Sequence, residues 1–152
     1  MISKRKTGML EVLLALVLTT GPSMAAEDSR ELVEMPAMMQ EHMLANMRDH
    51  LKALDEILGA LAQGNVDDAG RIAENRLGMS SLDLHGAAHI AKFMPEAMAD
   101  AGTEMHRAAS RFVIVAQDAE LAPGKEAQRL VYGALQEVTS ACNACHQAYR
   151  VR

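Results

Sequence analysis

From residue 36 onwards, apolar residues recur at intervals of three and four, and no run alternates apolar with polar residues. The clearest seam comprises Leu44, Met47, Leu51, Leu54, Leu58 and Leu61. Such spacings place side chains on one face of an α-helix, whereas a half-buried strand has a period of two. Because aromatic residues make up only 3% of the chain, a core must be built from Leu, Ala, Ile, Val and Met. The pattern therefore predicts an all-α protein.

Breaks in this pattern divide the chain into four long helices. The predicted helices are A from Pro36 to the break at 63–65, B at 66–77, C at 95–119 and D at 126–149, with a break at 78–81 and a short helical piece at 82–94. The sequence FVIV at 112–115 is the only candidate strand, and we interpret it as buried helix because it lies inside helix C. Four helices with short connections predict an antiparallel up-and-down four-helix bundle in which A and D are neighbours.

The first 25 residues have the organisation of a signal peptide. MISKRK is basic, MLEVLLALVLTT is apolar but too short to span a membrane, and Ser23 and Ala25 are small residues at the −3 and −1 positions of a cleavage site. We expect cleavage after Ala25, export to the periplasm and a mature domain at 26–152. The alternative is an uncleaved N-terminal anchor. Since no second stretch approaches membrane-spanning length, we expect no membrane span after cleavage.

The net charge limits the class of partner. The full chain carries a formal charge of −5, and residues 1–25 contribute a net +2 from three basic residues and Glu11, which leaves −7 on the expected mature chain. A nucleic-acid-binding protein requires a basic face, so this balance argues against such a partner. It is compatible with a basic redox protein as partner.

Both cysteines lie near the end of the chain, in the sequence CNACH formed by Cys142 to His146. The spacing C-x-x-C-H is the attachment signature of c-type haem. Two thiols three residues apart on one helical face can each form a thioether with a vinyl group of haem, and the next histidine can bind the iron. The sequence therefore predicts one covalent haem c held by Cys142 and Cys145, with His146 as the proximal iron ligand.

Other interpretations of the cysteine pair stay open. In an oxidising compartment the pair can close into a disulfide, although so short a loop stabilises a fold only weakly. A thioredoxin-like redox pair requires a βαβ context, and a structural zinc site requires four ligands. Export and the haem signature support each other, because haem is attached after the unfolded chain has crossed the membrane.

The sequence C-x-x-C-H-x-x-Y-R, ending at Tyr149 and Arg150, resembles the class II c-type cytochromes, the cytochrome c′ group and its low-spin relatives. The resemblance extends in helix count and order over residues 35–152. It implies a periplasmic four-helix bundle that often forms homodimers and either carries electrons or binds small gases. It also implies that Arg150 lies near the histidine ligand.

The resemblance extends into helix A, where HLKAL at 50–54 matches a family stretch. That alignment places Leu44 at the distal, iron-facing position and Gln40 where the family usually has arginine. Gln40 is a departure, since glutamine lacks the arginine charge, whereas Leu44 is a variant within the family pattern of Met or Leu and cannot bind iron. Met43 and Met47 flank Leu44, and either thioether is a possible distal iron ligand.

Histidine and methionine also suggest other metal sites. The methionines at 35–47 either pack in an ordinary helical core or act as soft ligands of copper(I), with His42 as a further ligand. His85 and His89 are spaced i, i+4, which can hold zinc or copper, although Gly86 between them weakens a helix. We expect His50 and His106 at the surface or at the bundle edge.

The sequence favours a periplasmic monohaem cytochrome that carries single electrons. The first alternative is a cytochrome c′-type protein that binds nitric oxide or carbon monoxide at an open distal site. The second is a periplasmic Met/His copper-binding bundle whose cysteines form a disulfide. We expect no enzyme activity, because the chain has no recognisable nucleophile–base pair, phosphate loop or pair of catalytic carboxylates.

Overall fold

The structure is a computed structural model that describes residues 27–152, so the predicted signal peptide at 1–25 lies outside the described residues. The described part is mostly helical, with five α-helices and two short strands. In chain order the elements are β1 (Glu31–Leu32), α1 (Ala37–Ala62), α2 (Val66–Arg76), α3 (Ala87–Ile90), α4 (Glu96–Ala119), α5 (Gly124–Ala148) and β2 (Tyr149–Arg150). The all-α class predicted from the sequence is confirmed.

Prolines and acidic residues begin the long helices where the sequence indicated. Pro36, Pro95 and Pro123 directly precede α1, α4 and α5, and their ring-restricted φ angles suit the entry to a helix. α2 begins with two aspartates in its first turn, where they face the positive end of the helix dipole. The four long helices therefore lie within about two residues of their predicted bounds, and the sequence at 112–115 is helical within α4.

An alanine-rich core, which we call the large core, joins α1, α2, α4 and α5. α4 packs against α5 and α2, and α2 packs against α1. The buried members of the large core are Ala53, Ile57, Ala60, Ala69, Ala73, Leu77, Met105, Ala108, Ala109, Phe112, Ala116, Ala119, Val131, Ala134, Leu135 and Val138. Small side chains let helices approach closely: a Cβ added at Gly70 of α2 would lie 3.5 Å from Ala116 Cβ of α4. Phe112 is the largest fully buried side chain.

The buried face of α1 differs from the predicted seam. The buried residues are Met43, His50, Ala53, Ile57 and Ala60, whereas Leu51 and Leu58 of the seam are 68% and 51% exposed. The face that packs on α2 is thus rotated by about one residue, or 100°. Four seam residues closer to the start of α1 instead line a cavity, and they are Leu44, Met47, Leu51 and Leu54.

A second group of apolar residues, the Met-rich cluster, lies beside the paired strands β1 and β2. Its buried members are Val33, Met43, Ile90 and Met98, and the partly buried side chains around them are Met35, Met39, Met47, Met94, Cys145, Tyr149 and Val151. β1 and β2 pair in parallel here, with Glu31 opposite Tyr149 and Leu32 opposite Arg150. No sequence pattern predicted this pair, because two-residue strands are too short to show alternation.

The segment between α2 and α4 is less regular than predicted. Of the expected helical piece at 82–94 only Ala87–Ile90 is α-helix, with 3₁₀ turns at Met79–Ser81 and Ala91–Phe93. Within residues 27–152, no helix has both the length and the apolar character needed to cross a bilayer.

Replacing Phe112 with alanine should lower the free energy of unfolding by about 3–5 kcal/mol, because it leaves a cavity in the large core. Urea unfolding followed by far-ultraviolet circular dichroism measures this change. Ile114→Ala is the matched control, since Ile114 lies on the same helix but is 59% exposed, and it should cost less than about 1 kcal/mol. Equal losses in the two variants would contradict the assignment of Phe112 to the core.

Candidate functional site

A cavity of about 560 Å³ lies between α1 and the last turns of α5. Its walls also include parts of α4, of the segment between α2 and α4, and of the two terminal strands. The predicted haem-binding residues Cys142, Cys145 and His146 all line it, as do the two candidate distal ligands Met43 and Met47. The structure therefore brings together on one cavity the residues that the sequence selected separately.

The two cysteines occupy neighbouring turns near the end of α5. Both thiols are free and partly buried, Cys142 next to the large core and Cys145 within the Met-rich cluster. Burial raises the pKa of each thiol, so both are neutral at pH 7. His146 is exposed where it borders the cavity. The sequence C-x-x-C-H thus forms one wall, open to solvent at the histidine.

Three arginines line the cavity, and they are Arg30, Arg150 and Arg152. Arg30 Nη1 donates to the backbone carbonyl of His146 at 3.4 Å, and Arg30 also forms an ion pair with Asp28. Arg150 borders the cavity together with His146, and its Nε is buried without a hydrogen-bond partner among the described residues. The nearest carboxylate oxygen, Asp28 Oδ2, lies 3.7 Å from that Nε. An anionic group bound in the cavity can therefore be met by Arg150.

The methionine wall of the cavity is larger than the sequence indicated. Besides Met43 and Met47, it includes Met94, Met98 and Met105 from α4 and the segment before it. Met98 and Met105 are seven residues apart on α4, a helical spacing that fits this placement. Leu44, which the resemblance predicts at a distal position, also lines the cavity beside these methionines.

Gln40 links α1 to the C-terminal segment. Its side-chain amide donates to the carbonyl of Val151, which links the first turns of α1 to the C-terminal segment. Gln40 does not line the cavity. Its contact with the C-terminal segment instead helps to fix β2 beside the last turn of α5.

Three buried histidines line the same cavity, and the sequence-based placement of two of them was wrong. His50 of α1 and His106 of α4, expected at the surface or bundle edge, are each only 8% exposed, and His85 is 5% exposed. One ring nitrogen from each lies within 4.8 Å of those of the other two. His50 Nε2 lies 3.5 Å from His85 Nδ1. We call these three residues the histidine cluster.

The predicted pair of His85 and His89 does not form a joint site, because His89 is exposed and only His85 points into the cluster. The i, i+4 spacing predicted a shared helix face, but the chain is non-helical at His85 and adopts a left-handed conformation at Gly86, with φ of 61°. Helical spacing brings side chains together only within a continuous helix.

Contacts with α1 hold His85 in place. Asn46 donates to the carbonyl of His85 at 2.8 Å, and the ring of His42 packs where a Cβ of Gly86 would lie. Asp49 Oδ2 lies 3.8 Å from His85 Nε2, and this carboxylate also accepts hydrogen bonds from Arg76. The Arg76 guanidinium holds the pKa of Asp49 below its usual range, so the group beside His85 is a carboxylate.

Burial is the main cause of lowered pKa values in the histidine cluster. It lowers the pKa of His50 to about 3, with further lowering by the charges that His85, His106 and His146 would carry and slight opposition from Asp49. It also lowers the pKa of His85 and of His106, the latter opposed by backbone carbonyls. All three rings are therefore neutral at pH 7, with lone pairs available for a ligand or a proton.

We expect the free energy of unfolding of the protein, measured in EDTA so that no metal is bound, to decrease as the pH is lowered from 7 to 5. The unfolded chain binds a proton at His50 with a pKa near 6.5, whereas the folded chain binds it only near pH 3. The unfolded state therefore holds more protons across this window, and each such histidine lowers the free energy of unfolding by up to about 1.4 kcal/mol per pH unit. Urea unfolding at several pH values measures the slope.

His50→Gln should remove up to one proton from that slope, because the buried His50 is the group that stays neutral in the folded state. The window lies above the ordinary titration range of carboxylates, so Asp and Glu residues contribute little to it. Identical slopes in the wild type and in His50→Gln would contradict the buried, neutral state of His50.

Comparisons of the chain with protein-family models, with curated proteins and with solved structures gave no significant match. The haem-binding roles of Cys142, Cys145 and His146 accordingly stay predictions from the sequence. The structure adds the cavity that these residues share with the methionine wall and the histidine cluster.

Proposed function

We propose that the protein is an exported monohaem c-type cytochrome that carries single electrons in the periplasm. The observation that carries the proposal is that both thiols and the imidazole of C-x-x-C-H line one apolar cavity of about 560 Å³. That volume lies within the usual range for cofactor sites. Haem c, when bound, supplies the exchange of one electron between ferric and ferrous iron.

The donor set fits this cofactor. Cys142 and Cys145 are free, face the cavity from one helix and are neutral, and each can hold one edge of the ring through a thioether. His146 follows directly and can direct a ring nitrogen to the iron. The unpaired Nε of Arg150 can meet a propionate carboxylate, which would remove a buried donor without a partner.

The helix packing supports an antiparallel up-and-down four-helix bundle made of α1, α2, α4 and α5. Consecutive long helices in this set pack on one another, and the connections from α1 to α2 and from α4 to α5 are short. α1 and α5 both line the cavity, which is compatible with helices A and D on either side of a cofactor, while the direct helix contacts are those of α1 with α2, α2 with α4 and α4 with α5. A basic redox partner and a homodimer stay predictions from charge and from the resemblance.

Met43 and Met47 are the proposed distal ligands, one of which binds the iron. Met43 is 7% exposed, and both side chains belong to the Met-rich cluster that also holds Cys145. A long, unbranched thioether side chain can adjust to the offset from Leu44. Iron that keeps the same histidine and methionine ligands in the ferric and ferrous states changes little in geometry, which favours electron transfer.

Two other functions have an observation in their favour. Leu44 lines the cavity at the aligned distal position, which favours an open site for nitric oxide or carbon monoxide. The gathering of six methionines in the Met-rich cluster favours copper(I) binding, since thioethers are soft ligands. The two experiments below separate these functions from electron transfer.

Haem should stay bound after acid–acetone extraction of the periplasmic protein, because thioether bonds survive denaturation. A pyridine haemochrome assay should give one haem per chain, and Cys142→Ala/Cys145→Ala should abolish covalent haem. Asn143→Ala, an exposed change between the cysteines, is the matched control and should keep it. Loss of all haem from the wild-type protein on extraction would exclude both cytochrome functions and favour copper binding.

The ferric protein should show the sulfur-to-iron charge-transfer band of a methionine ligand. One of the two variants Met43→Ala and Met47→Ala should remove the band, and it identifies the ligand. Met38→Ala should keep the band, because Met38 lies on the same helix but is 75% exposed. A wild-type protein without the band, with high-spin iron that binds carbon monoxide when reduced, would contradict methionine ligation and support gas binding.

A further inference from the structure

The histidine cluster brings together imidazoles from three separate parts of the chain. His50 lies on α1, His85 in the segment between α2 and α4, and His106 on α4, with one ring nitrogen of each within 4.8 Å of the others. Burial of a polar ring costs free energy unless its nitrogens have partners. The three imidazole rings face one another and the cavity, so their nitrogens need either a common ligand or hydrogen bonds to other groups.

The hydrogen bonds of the cluster leave nitrogens directed inwards. His106 Nδ1 donates to the Leu77 carbonyl at 2.7 Å, which leaves its Nε2 as the atom with a lone pair. The Asp49 carboxylate beside His85 Nε2 favours a proton on that nitrogen, which leaves Nδ1 of His85 with a lone pair towards His50. Ser81 cannot fully satisfy this Nδ1, because its hydroxyl proton is donated to the Gly78 carbonyl and its oxygen lies 3.4 Å from the ring.

The spacing of these nitrogens fits a tetrahedral metal ion. Two nitrogens bound to zinc at about 2.0–2.1 Å lie about 3.3 Å apart, and His50 Nε2 and His85 Nδ1 are 3.5 Å apart. One ring nitrogen of each histidine lies within 4.8 Å of one from each of the other two, so bringing those three atoms to the spacing of zinc ligands requires an adjustment of at most about 1.5 Å per pair. Small rotations of the imidazole rings can supply it.

The surroundings of the cluster match those of histidine ligands in metalloproteins. Such histidines usually donate their second N–H to a backbone carbonyl or a carboxylate, which fixes the tautomer. His106 has the Leu77 carbonyl in this position. For His85 the corresponding group is the Asp49 carboxylate, which is held by Arg76 and lies 3.8 Å from Nε2, beyond hydrogen-bond distance. Hard cations such as calcium and magnesium are excluded, because they bind oxygen ligands.

We infer that His50, His85 and His106 bind one zinc(II) ion, with a fourth coordination position directed into the cavity. Three imidazoles and one open position are the ligand set of zinc sites that bind water or a small anion. The lowered pKa values of the three rings support this site, because metal binding requires neutral imidazole. The inference does not depend on haem attachment.

A zinc titration of the full chain tests the inference. Protein as purified is treated with EDTA, freed of chelator and titrated with zinc chloride in a calorimeter, and the bound metal is counted by elemental analysis after gel filtration. One equivalent is expected. Cys142→Ala/Cys145→Ala, which has no thiol, should bind zinc with the same stoichiometry and the same dissociation constant.

Matched variants locate the metal. His85→Gln and His106→Gln should each weaken zinc binding more than about 100-fold, and Asp49→Asn about 10-fold. His89→Gln, an exposed change in the same segment as His85, should bind zinc as the wild type does. Circular dichroism in EDTA shows that each variant is folded, and if one glutamine variant is not, the other serves the comparison.

Cobalt(II) in the cysteine-free protein gives a second readout. It should produce the visible d–d bands of tetrahedral nitrogen ligation, and His106→Gln should remove them. Absence of zinc binding, or binding that is lost with the cysteines and kept in His85→Gln, would overturn the inference. Because the cysteine-free protein cannot attach haem, zinc binding and haem attachment succeed or fail independently.

Discussion

The close packing of α4 against α2 and α5 through alanine determines where every other group in this structure can lie. Alanine side chains such as Ala109 and Ala116 are fully buried and short, so the helix axes approach closely and Phe112 fills the space that remains. In the Met-rich cluster methionine takes the place of alanine, and α1 and α5 both line a cavity there. One end of the helix assembly is thus tightly packed, while the other has long, flexible side chains around a space.

The irregular segment between α2 and α4 is positioned by polar contacts rather than by a continuous apolar face. Glu74 of α2 accepts hydrogen bonds from Ser80 and from Ser110 of α4, and Asn46 of α1 holds the carbonyl of His85. These contacts place His85 against two helices at once. Because an unpartnered buried polar group is costly, each such bond stabilises one conformation of a segment that has little regular structure of its own.

The sequence was sufficient for the helices and for the local motif, but not for the burial of α1 or the histidine cluster. Leucine spacing on α1 predicted a packed seam, yet Leu58 is half exposed and Ile57 is buried. The prediction failed because the face that is buried also carries Ala53 and Ala60, and alanine gives a weaker hydrophobic signal than leucine. A cavity-facing leucine and a core-facing leucine also look alike in a sequence. His50 and His106 are 56 residues apart, and only tertiary packing brings their rings to one place.

The proposed haem site is formed by residues close in sequence, whereas the proposed zinc site is formed by residues far apart. This difference determines when each site can bind its metal. Cys142, Cys145 and His146 lie within five consecutive residues, so in the proposed function they would be able to react with haem in an unfolded, exported chain. The histidine cluster draws its ligands from three segments and exists only once α1 and α4 have packed. A metal bound there stabilises the folded state alone, by mass action. The two groups would therefore be acquired in a fixed order, haem before folding and zinc after it.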